Sequence, residues 1–300
     1  MKKLRFIINP ISGSGRKLTL YAKIREHLDA EQFDYDIRHT KYAGHAAEMA
    51  KAAAAEGVDI VVACGGDGTV NEVARSLVGT QTAMGIIPSG SGNGLARHLK
   101  IPLNPVRAIK VLNHDVRRCL DSGEMNGHPF FCTCGMGFDA KVSWLFAQGD
   151  TRGITTYLRH VVQEGLRYKA ADYTLQYDDK TVQTKAFLIT CANASQYGNN
   201  AYIAPYASMD DGLMDVVVID ALNPITAPRV GAMLFNKRIL KNKHVHTFRT
   251  SQLHIERSES GPVHLDGEPF EMGTDISVRL LPRSLNVVVN AGAKRPPVEI

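Results

Sequence analysis

The segment Cys64–Glu72, CGGDGTVNE, has the residue types and spacing most suited to chemistry, and it follows the apolar, strand-like run Val58–Ala63. Its three glycines allow a sharp turn and a close approach of the backbone to a ligand. Thr69 and Glu72 have the spacing of a capping box, which predicts that a helix begins there with its positive end at the turn. A carboxylate such as Asp67 repels a phosphate unless a cation lies between them. The segment therefore predicts metal-assisted chemistry on a phosphate.

Two further glycine-rich turns follow other strand-like runs, namely Asn9–Lys17, NPISGSGRK, and Pro88–Gly94, PSGSGNG. The first turn lacks the ending of a Walker A motif, and none of the three matches the dinucleotide-binding fingerprint. One glycine turn alone is more often a tight connection. Three of them at strand ends predict a shared binding edge, because the carboxyl ends of parallel strands meet at one edge of a sheet.

The first third of the chain alternates strand and helix patterns, which predicts a parallel sheet covered by helices on both sides. The predicted strands are Leu4–Asn9, Tyr35–His39, Val58–Ala63 and Ala83–Pro88. The predicted helices are Lys17–Leu28, Ala46–Ala55, Val70–Leu77 and Gly94–Leu99, followed by one that Asn104 and Pro105 open.

After about residue 116 the chain becomes rich in strands, with a hairpin signal at Asn126-Gly127. The predicted strands are Arg118–Glu124, His128–Thr133, Tyr173–Tyr177, Thr181–Cys191, Met214–Asp220, Ser251–Arg257, Val263–Leu265, Ile276–Leu281 and Leu285–Val289. Helical stretches are predicted near 138–148, 153–167 and 224–240. The expected fold class is α/β plus β, with an N-terminal parallel-sheet α/β domain and a C-terminal antiparallel β-sandwich-like domain. We expect the first domain at 1–120, with 286–300 as a segment that could join it, and the second at 121–285.

The composition excludes several classes of protein. In 300 residues, 44% hydrophobic and 22% charged side chains are typical of a soluble globular protein. No run approaches the ~18 apolar residues of a membrane span, and five cysteines without a regular framework suit a reducing cytosol. A net charge of +5 permits weak attraction to anionic membranes and does not require nucleic acid. We therefore expect a cytoplasmic protein with transient membrane association.

Four motifs together resemble the diacylglycerol kinase and sphingosine kinase family of lipid kinases, most closely its soluble bacterial branch. They are Asn-Pro-x-Ser-Gly from Asn9, Gly-Gly-Asp-Gly-Thr-x-Asn-Glu-Val from Gly65, Pro-x-Gly-Ser-Gly-Asn from Pro88, and Asp-Gly-Glu from Asp266. They occur in the family's order over nearly the whole chain. The resemblance implies a two-domain enzyme with an ATP cleft between the domains, which transfers the γ-phosphate to a lipid hydroxyl with Mg²⁺.

The same resemblance implies roles for individual residues. The residues expected to hold the nucleotide are Asn9, Pro10, Ile11, Ser12, Gly13, Thr40, Gly65, Gly66, Asp67, Gly68, Thr69, Val70, Asn71 and Ser91. Phosphoryl transfer to an alcohol needs a proton acceptor and a metal near the γ-phosphate. Glu268 is the first choice for the acceptor and Asp266 the second, or the two act as a pair. On sequence alone, a solvated Asp-Gly turn is the favoured alternative for that motif.

The resemblance also implies metal ligands. Asp67 would bind the catalytic Mg²⁺ directly or through water. Asp121 would join the metal and water network, although an acid that caps a strand end fits its position equally well. Ser208, Asp211 and Leu213 match a structural Mg²⁺ or Ca²⁺ loop, in which one carboxylate and two backbone carbonyls hold the ion. A plain Asp-Gly turn is the alternative there.

One departure from the family pattern leaves the acceptor open. Asn93-Gly94 stands where bacterial diacylglycerol kinases usually carry Asn-Asp, and it is more similar to sphingosine kinases. The resemblance therefore implies diacylglycerol or a sphingoid base at a membrane surface as the expected acceptor. A kinase of a soluble acceptor such as NAD is disfavoured by the third turn and the position of Asp-Gly-Glu. A non-catalytic nucleotide or lipid sensor is disfavoured by intact Asp67 and Glu268. No nucleic-acid partner is expected, and a homodimer is left open.

Overall fold

The computed structural model describes residues 1–10, 17–148, 164–165, 167–222 and 226–292. The chain forms two compact units, Met1–Ser122 with a C-terminal stretch that starts at Leu281, and Gly123–Leu280. Most of the helix predicted near 153–167 lies outside the described residues, as does the start of the one predicted at 224–240. Within the described ranges, no helix has the length and apolar composition needed to cross a bilayer.

The first unit is built on a parallel sheet. Its strands are β1 (Lys2–Ile8), β2 (Phe33–His39), β3 (Ile60–Gly65) and β4 (Ala83–Pro88), in the spatial order β2-β1-β3-β4. The last part of the C-terminal strand pairs with β4 in parallel, where Val287 lies opposite Met84. Every residue of β3 and β4 is buried, because strands in the middle of a parallel sheet are covered on both faces.

Five helices of this unit are described: α1 (Lys17–His27), α2 (His45–Ala55), α3 (Asp67–Leu77), α4 (Gly94–His98) and α5 (Pro105–His114). Helix α3 buries Val70, Val73, Ala74 and Leu77, which recur with the spacing of one helix face. The Asn104 side chain accepts a hydrogen bond from the Arg107 N–H at 3.2 Å and caps α5, with Pro105 in the first turn as predicted.

The predicted capping box at Thr69 and Glu72 is wrong. Helix α3 begins at Asp67, its N-cap residue is Gly66, and no side chain caps it. The Glu72 carboxylate instead accepts hydrogen bonds from the N–H groups of Gly44 at 2.8 Å and Ala46 at 3.0 Å. Helix α2 starts at a glycine that has no side chain to cap it. Glu72 therefore supplies the missing cap to the neighbouring helix.

The second unit is antiparallel throughout its described strand pairs. Two strands, β5 (Arg117–Met125) and β15 (Asp275–Val288), contribute residues to both units. The others are β6 (His128–Phe130), β7 (Thr133–Gly137), β8 (Ala171–Tyr177), β9 (Lys180–Ala192), β10 (Met214–Asp220), β11 (Val245–Thr250), β12 (Gln252–Arg257), β13 (Gly261–Leu265) and β14 (Glu268–Met272). The main order is β14-β13-β7-β9-β8-β12-β15, and β10 and β11 extend from β9.

Two apolar clusters form the core of this unit. One contains Phe130, Met136, Ile189 and Val263 among others. The other contains Phe187, Val217, Val230, Ile239 and Val245. Helix α6 (Phe138–Gln148) follows β7, and helix α7 (Thr226–Phe235) and a 3₁₀ turn (Ile239–Lys241) precede β11. The unit is the antiparallel β-sandwich-like fold that the sequence predicts.

Candidate active site

The described parts of the three predicted turns meet at one edge of the parallel sheet. The Asn9 side-chain amide donates to Thr69 Oγ1 at 3.0 Å, and the Asn9 N–H donates to the Cys64 carbonyl at 3.0 Å. The Ser89 N–H donates to the Gly65 carbonyl at 2.8 Å. These bonds join the first turn to the second and the second to the third.

Glycine is required where the second and third turns touch. A Cβ on Gly90 would lie 2.5 Å from Gly66 Cα, and a Cβ on Gly92 would lie 2.6 Å from Asp67 Oδ2. Both distances are shorter than real Cβ contacts. The glycines of these turns therefore let two backbones and one carboxylate pack together at the sheet edge.

The Asp67 carboxylate is held by the third turn. Its Oδ2 accepts a hydrogen bond from the Asn93 N–H at 2.8 Å, and its Oδ1 accepts one from the Gly94 N–H at 2.7 Å. Asp67 is only partly buried, and each carboxylate oxygen keeps a further lone pair. The contacts fix the direction of the carboxylate and leave it able to bind a cation.

The third turn is also braced from within. Asn93 has a left-handed backbone, with φ of 51°, and its side chain bonds to both the N–H and the carbonyl of Gly90, at 3.0 and 2.7 Å. The Arg97 Nε donates to the Gly92 carbonyl at 2.8 Å. These contacts hold the turn in the shape that reaches Asp67.

The other predicted nucleotide residues have different surroundings. Thr40 follows β2, is buried, and donates its N–H to the Ile8 carbonyl at 3.0 Å, so it lies at the same sheet edge. Val70 is buried in α3, Asn71 is partly buried, and Ser91 is exposed on the third turn. Pro10 and Gly66 follow β1 and β3, and Gly68 lies in the first turn of α3. Ile11, Ser12 and Gly13 lie outside the described residues.

Asp121 is buried in β5, with 1% of its surface exposed. Its Oδ1 accepts a hydrogen bond from the Arg283 N–H at 2.8 Å. Arg283 has a left-handed backbone within β15, with a φ of 48°, at the place where the sequence pattern separates two strands. Asp121 therefore holds the backbone of this left-handed residue, and its membership of a metal and water network stays a prediction.

In the second unit, Asp266 and Gly267 form the two-residue hairpin turn between β13 and β14, and Glu268 is the first residue of β14. The Asp266 carboxylate accepts hydrogen bonds from three backbone N–H groups, those of Phe131 at 2.8 Å, Cys132 at 2.7 Å and Thr133 at 2.9 Å. Burial raises the pKa of Asp266 to about 6, although the three N–H donors act in the opposite direction. Asp266 thus fastens the turn to the start of β7.

Glu268 differs sharply from Asp266. It is exposed, and no hydrogen bond joins its carboxylate to any group in the described part of the chain. One carboxylate of the motif is therefore a fixed structural contact, and the other is accessible to a bound molecule.

A buried polar cluster beside this turn was not predicted. The Asp139 carboxylate accepts hydrogen bonds from Thr190 Oγ1 at 2.8 Å and the Tyr197 hydroxyl at 3.1 Å, and Nε2 of His264 lies 3.1 Å from it. The Gly267 N–H donates to Nδ1 of His264 at 3.4 Å. Because Nδ1 accepts, Nε2 carries the proton and donates to Asp139. The cluster links the turn that carries Glu268 to the core.

In the predicted metal loop, the side chain of Arg249 already pairs with the carboxylate that would bind a metal ion. Asp211 forms an ion pair with Arg249 and accepts a hydrogen bond from the Leu213 N–H at 3.1 Å. Ser208, which precedes Asp211 in the loop, is buried. Arg249 Nε also lies 3.7 Å from Asp215 Oδ2, and burial raises the pKa of Asp215 to about 6. Within the described residues, no group of three or more His, Cys, Asp or Glu side chains is arranged for a metal ion. Oxygen donors suit Mg²⁺ or Ca²⁺, but such an ion would share Asp211 with Arg249.

The N-terminal and C-terminal parts of the chain each match a known protein family. Residues 3–125 match the family model of the diacylglycerol kinase catalytic domain, and residues 132–289 match that of the YegS C-terminal NAD kinase beta sandwich-like domain. A Pseudomonas aeruginosa protein named probable lipid kinase YegS-like is 30% identical over 270 residues, 88% of each chain. A Bacillus subtilis protein named diacylglycerol kinase is 28% identical over 280 residues, which cover 89% of this chain and 90% of that protein.

A crystal structure of a diacylglycerol kinase from Bacillus anthracis has the same fold, with a TM-score of 0.78 over 98% of each chain at 23% identity. The two family models together span both units, and the second alone covers more than half of the chain. The chain therefore belongs to the family of diacylglycerol kinases and YegS-like lipid kinases, and it is a lipid kinase.

Proposed function

We propose that this kinase transfers the γ-phosphate of ATP to the hydroxyl group of diacylglycerol or of a sphingoid base. The observation that carries the proposal is the Asp67 carboxylate, which two backbone N–H groups hold at the edge where the three turns meet. A carboxylate so oriented beside glycine-rich backbone suits a triphosphate with its cation. The B. subtilis relative named diacylglycerol kinase favours diacylglycerol as the acceptor. A sphingoid base is the second candidate, because Gly94 makes the third turn more similar to that of sphingosine kinases.

The proposed nucleotide site uses backbone donors more than charged side chains. Helix α3 begins at Asp67 with no side-chain cap, so its first N–H groups and its positive dipole end are available to phosphate oxygens. Asn9 and Thr69, which are bonded to each other, would line the site from the first and second turns. Thr40, which follows β2, and Ser91, which follows β4, are proposed to complete it.

Asp67 fits a Mg²⁺ ion because it is a hard oxygen ligand that is fixed in direction and retains free lone pairs. When bound, Mg²⁺ would neutralise charge on the phosphate oxygens during transfer. Asp121 is proposed as a further member of the same network. Asp211 with Ser208 and Leu213 is proposed as a second Mg²⁺ or Ca²⁺ site, in which Arg249 competes with the ion for the carboxylate.

Glu268 is the proposed proton acceptor for the lipid hydroxyl. It is exposed and uncommitted, whereas Asp266 is already bound to three N–H donors. A carboxylate side chain can accept the proton of a substrate hydroxyl in the transition state. A positioned general base is worth roughly 10²–10⁴ in rate. Asp266 is proposed to orient the turn and remains the second choice for the base.

A substrate screen tests this proposal. The purified protein is incubated with isotopically labelled ATP and Mg²⁺ and either extracted lipids or NAD, and the products are identified by mass spectrometry. We expect label on a lipid with a free hydroxyl. Label on NAD alone would reject the lipid acceptor, and ATP binding without any labelled product would favour a sensor.

A further inference from the structure

One segment of the second unit is basic and contains no acidic residue. Residues 221–255 contain six lysines and arginines and no aspartate or glutamate. The whole chain has 35 basic and 30 acidic residues, so without these six it would have 29 basic and 30 acidic residues. The segment therefore carries six of the 35 basic residues without any acidic residue to offset them.

Five of the six cations point to solvent. They form a surface that we call the basic ridge, which consists of Arg229, Lys237, Arg238, Lys241 and Lys243, all of them exposed. The sixth cation, Arg249, is paired with Asp211. Asp220 lies at the edge of the ridge, where its Oδ2 is 2.9 Å from His246 Nε2. The cations of the ridge are thus free of the acidic partner that Arg249 has.

The ridge is part of the folded second unit. Val230, Ile239 and Val245 anchor it in the second apolar cluster. The Arg238 N–H donates to the Met233 carbonyl at 3.2 Å, which closes the chain after helix α7, and the 3₁₀ turn follows directly. The buried anchors alternate with the exposed cations, so the fold presents the charges on one continuous stretch of chain.

An aromatic side chain lies within the ridge. Phe235, the last residue of α7, is 63% exposed. Lys237 follows it closely, and the ammonium of Lys237 lies 4.3 Å from the ring centre of Tyr202. A single exposed phenylalanine is ordinary, but one within a basic segment that contains no acidic residue matches the composition of surfaces that insert into a membrane interface.

We propose that the basic ridge and Phe235 form a docking surface for an anionic phospholipid bilayer. This inference rests on the proposed transfer to a membrane lipid, because such an enzyme must reach its acceptor at the bilayer surface. The exposed cations would meet anionic head groups, and Phe235 would enter the boundary of the acyl chains. Two weak signals together give reversible binding, in which each cation contributes about fivefold in affinity.

Co-sedimentation with vesicles tests the docking surface. The purified protein is mixed with phosphatidylcholine vesicles that contain or lack phosphatidylglycerol. We expect binding to the anionic vesicles only. The triple variant Arg238→Gln, Lys241→Gln, Lys243→Gln should bind on the order of a hundredfold more weakly, and Phe235→Ser several-fold more weakly.

A matched control removes the same charge elsewhere. Lys51, Arg107 and Lys110 are exposed cations of the first unit, and their replacement by Gln should leave most of the vesicle binding intact. Equal losses of vesicle binding in the two triple variants would overturn the proposed docking role of the basic ridge, since only the overall charge of the protein would then matter. Wild-type protein that binds RNA but not anionic vesicles would overturn it as well.

Activity separates this inference from the proposed function. With lipid acceptors in neutral detergent micelles, the ridge variant should keep wild-type turnover, whereas with anionic vesicles it should lose turnover in proportion to binding. Absence of lipid phosphorylation in both systems would contradict the proposed function, and vesicle sedimentation would still report on the ridge. Loss of turnover in micelles for the ridge variant would contradict the docking role.

Discussion

Asp67 Oδ1 accepts a hydrogen bond from the Gly94 N–H at 2.7 Å, and this contact joins the second turn to the start of α4. Asp67→Asn keeps the shape of the side chain but replaces one acceptor oxygen by an NH₂ group, which faces a backbone donor. We expect kcat to fall by about 10²-fold and the Mg²⁺ concentration for half-maximal rate to rise. Steady-state kinetics over a Mg²⁺ titration measures both.

Asp59 provides a matched control for that variant. Its Oδ2 also accepts a hydrogen bond from a backbone N–H of the first unit, that of Lys3 at 2.8 Å. Asp59→Asn should leave the Mg²⁺ dependence unchanged. If Asp67→Asn behaved like Asp59→Asn, the role of Asp67 in holding the cation would be refuted.

Gly92→Ala tests the packing of the third turn against Asp67. The new Cβ would lie 2.6 Å from Asp67 Oδ2, so the carboxylate or the turn must move. We expect kcat/KM for ATP to fall at least tenfold, with a loss of stability of about 1 kcal/mol. Gly231→Ala is the control, because its Cβ would meet nothing within 4 Å. Wild-type kinetics in Gly92→Ala would show that this contact has no part in catalysis.

Asp266 gives a pH signature. Folding raises its pKa from 3.8 to about 6, so the fold favours the protonated carboxyl. The stabilising contribution is complete below about pH 4 and is lost as the pH rises towards 6. Relative to Asp266→Asn, the wild type should lose on the order of 2–3 kcal/mol of unfolding free energy over that range. Urea unfolding at several pH values measures it, and parallel curves for the two proteins would disprove the shift.

The Asp139 cluster should respond in a graded way. Asp139→Asn disrupts the carboxylate that Thr190, Tyr197 and His264 share as an acceptor, so we expect a loss of about 3 kcal/mol because buried donors lose their partner. Tyr197→Phe removes one of these hydrogen bonds and should cost about 1 kcal/mol. Chemical denaturation gives both values. Similar losses for the two variants would mean that Asp139 does not organise the cluster.

Local patterns in the sequence predict much of the fold. Strands Ala83–Pro88 and Met214–Asp220 are found with the predicted bounds, because buried apolar runs between turn residues leave little freedom. Strands Val245–Thr250 and Glu268–Met272 were not predicted. Polar residues interrupt both sequences, and neither shows a regular alternation of buried and exposed positions. Here pairing with a neighbouring strand, rather than composition, determines the structure.

The candidate site likewise has features that local sequence patterns predict and contacts that they do not. The sequence predicted that the three glycine-rich turns, which contain Asn9, Gly65 and Pro88, would lie at one edge of the sheet. The reason is that parallel strands bring their carboxyl ends together. The partner of Glu72 could not be predicted, since the local spacing fits a capping box equally well and only the neighbouring helix decides. His264 and Asp139 are 125 residues apart in sequence, and a contact of that kind leaves no local pattern.

The most direct test of the central claim compares wild type with Glu268→Gln in mixed micelles of a lipid acceptor and γ-labelled ATP. We predict labelled lipid from the wild type and at least 10²-fold slower labelling by the variant, with ATP affinity unchanged by calorimetry. Glu271→Gln, a nearby acid on β14, should label at the wild-type rate. Undiminished labelling by Glu268→Gln, or no labelled lipid from the wild type, would contradict the account.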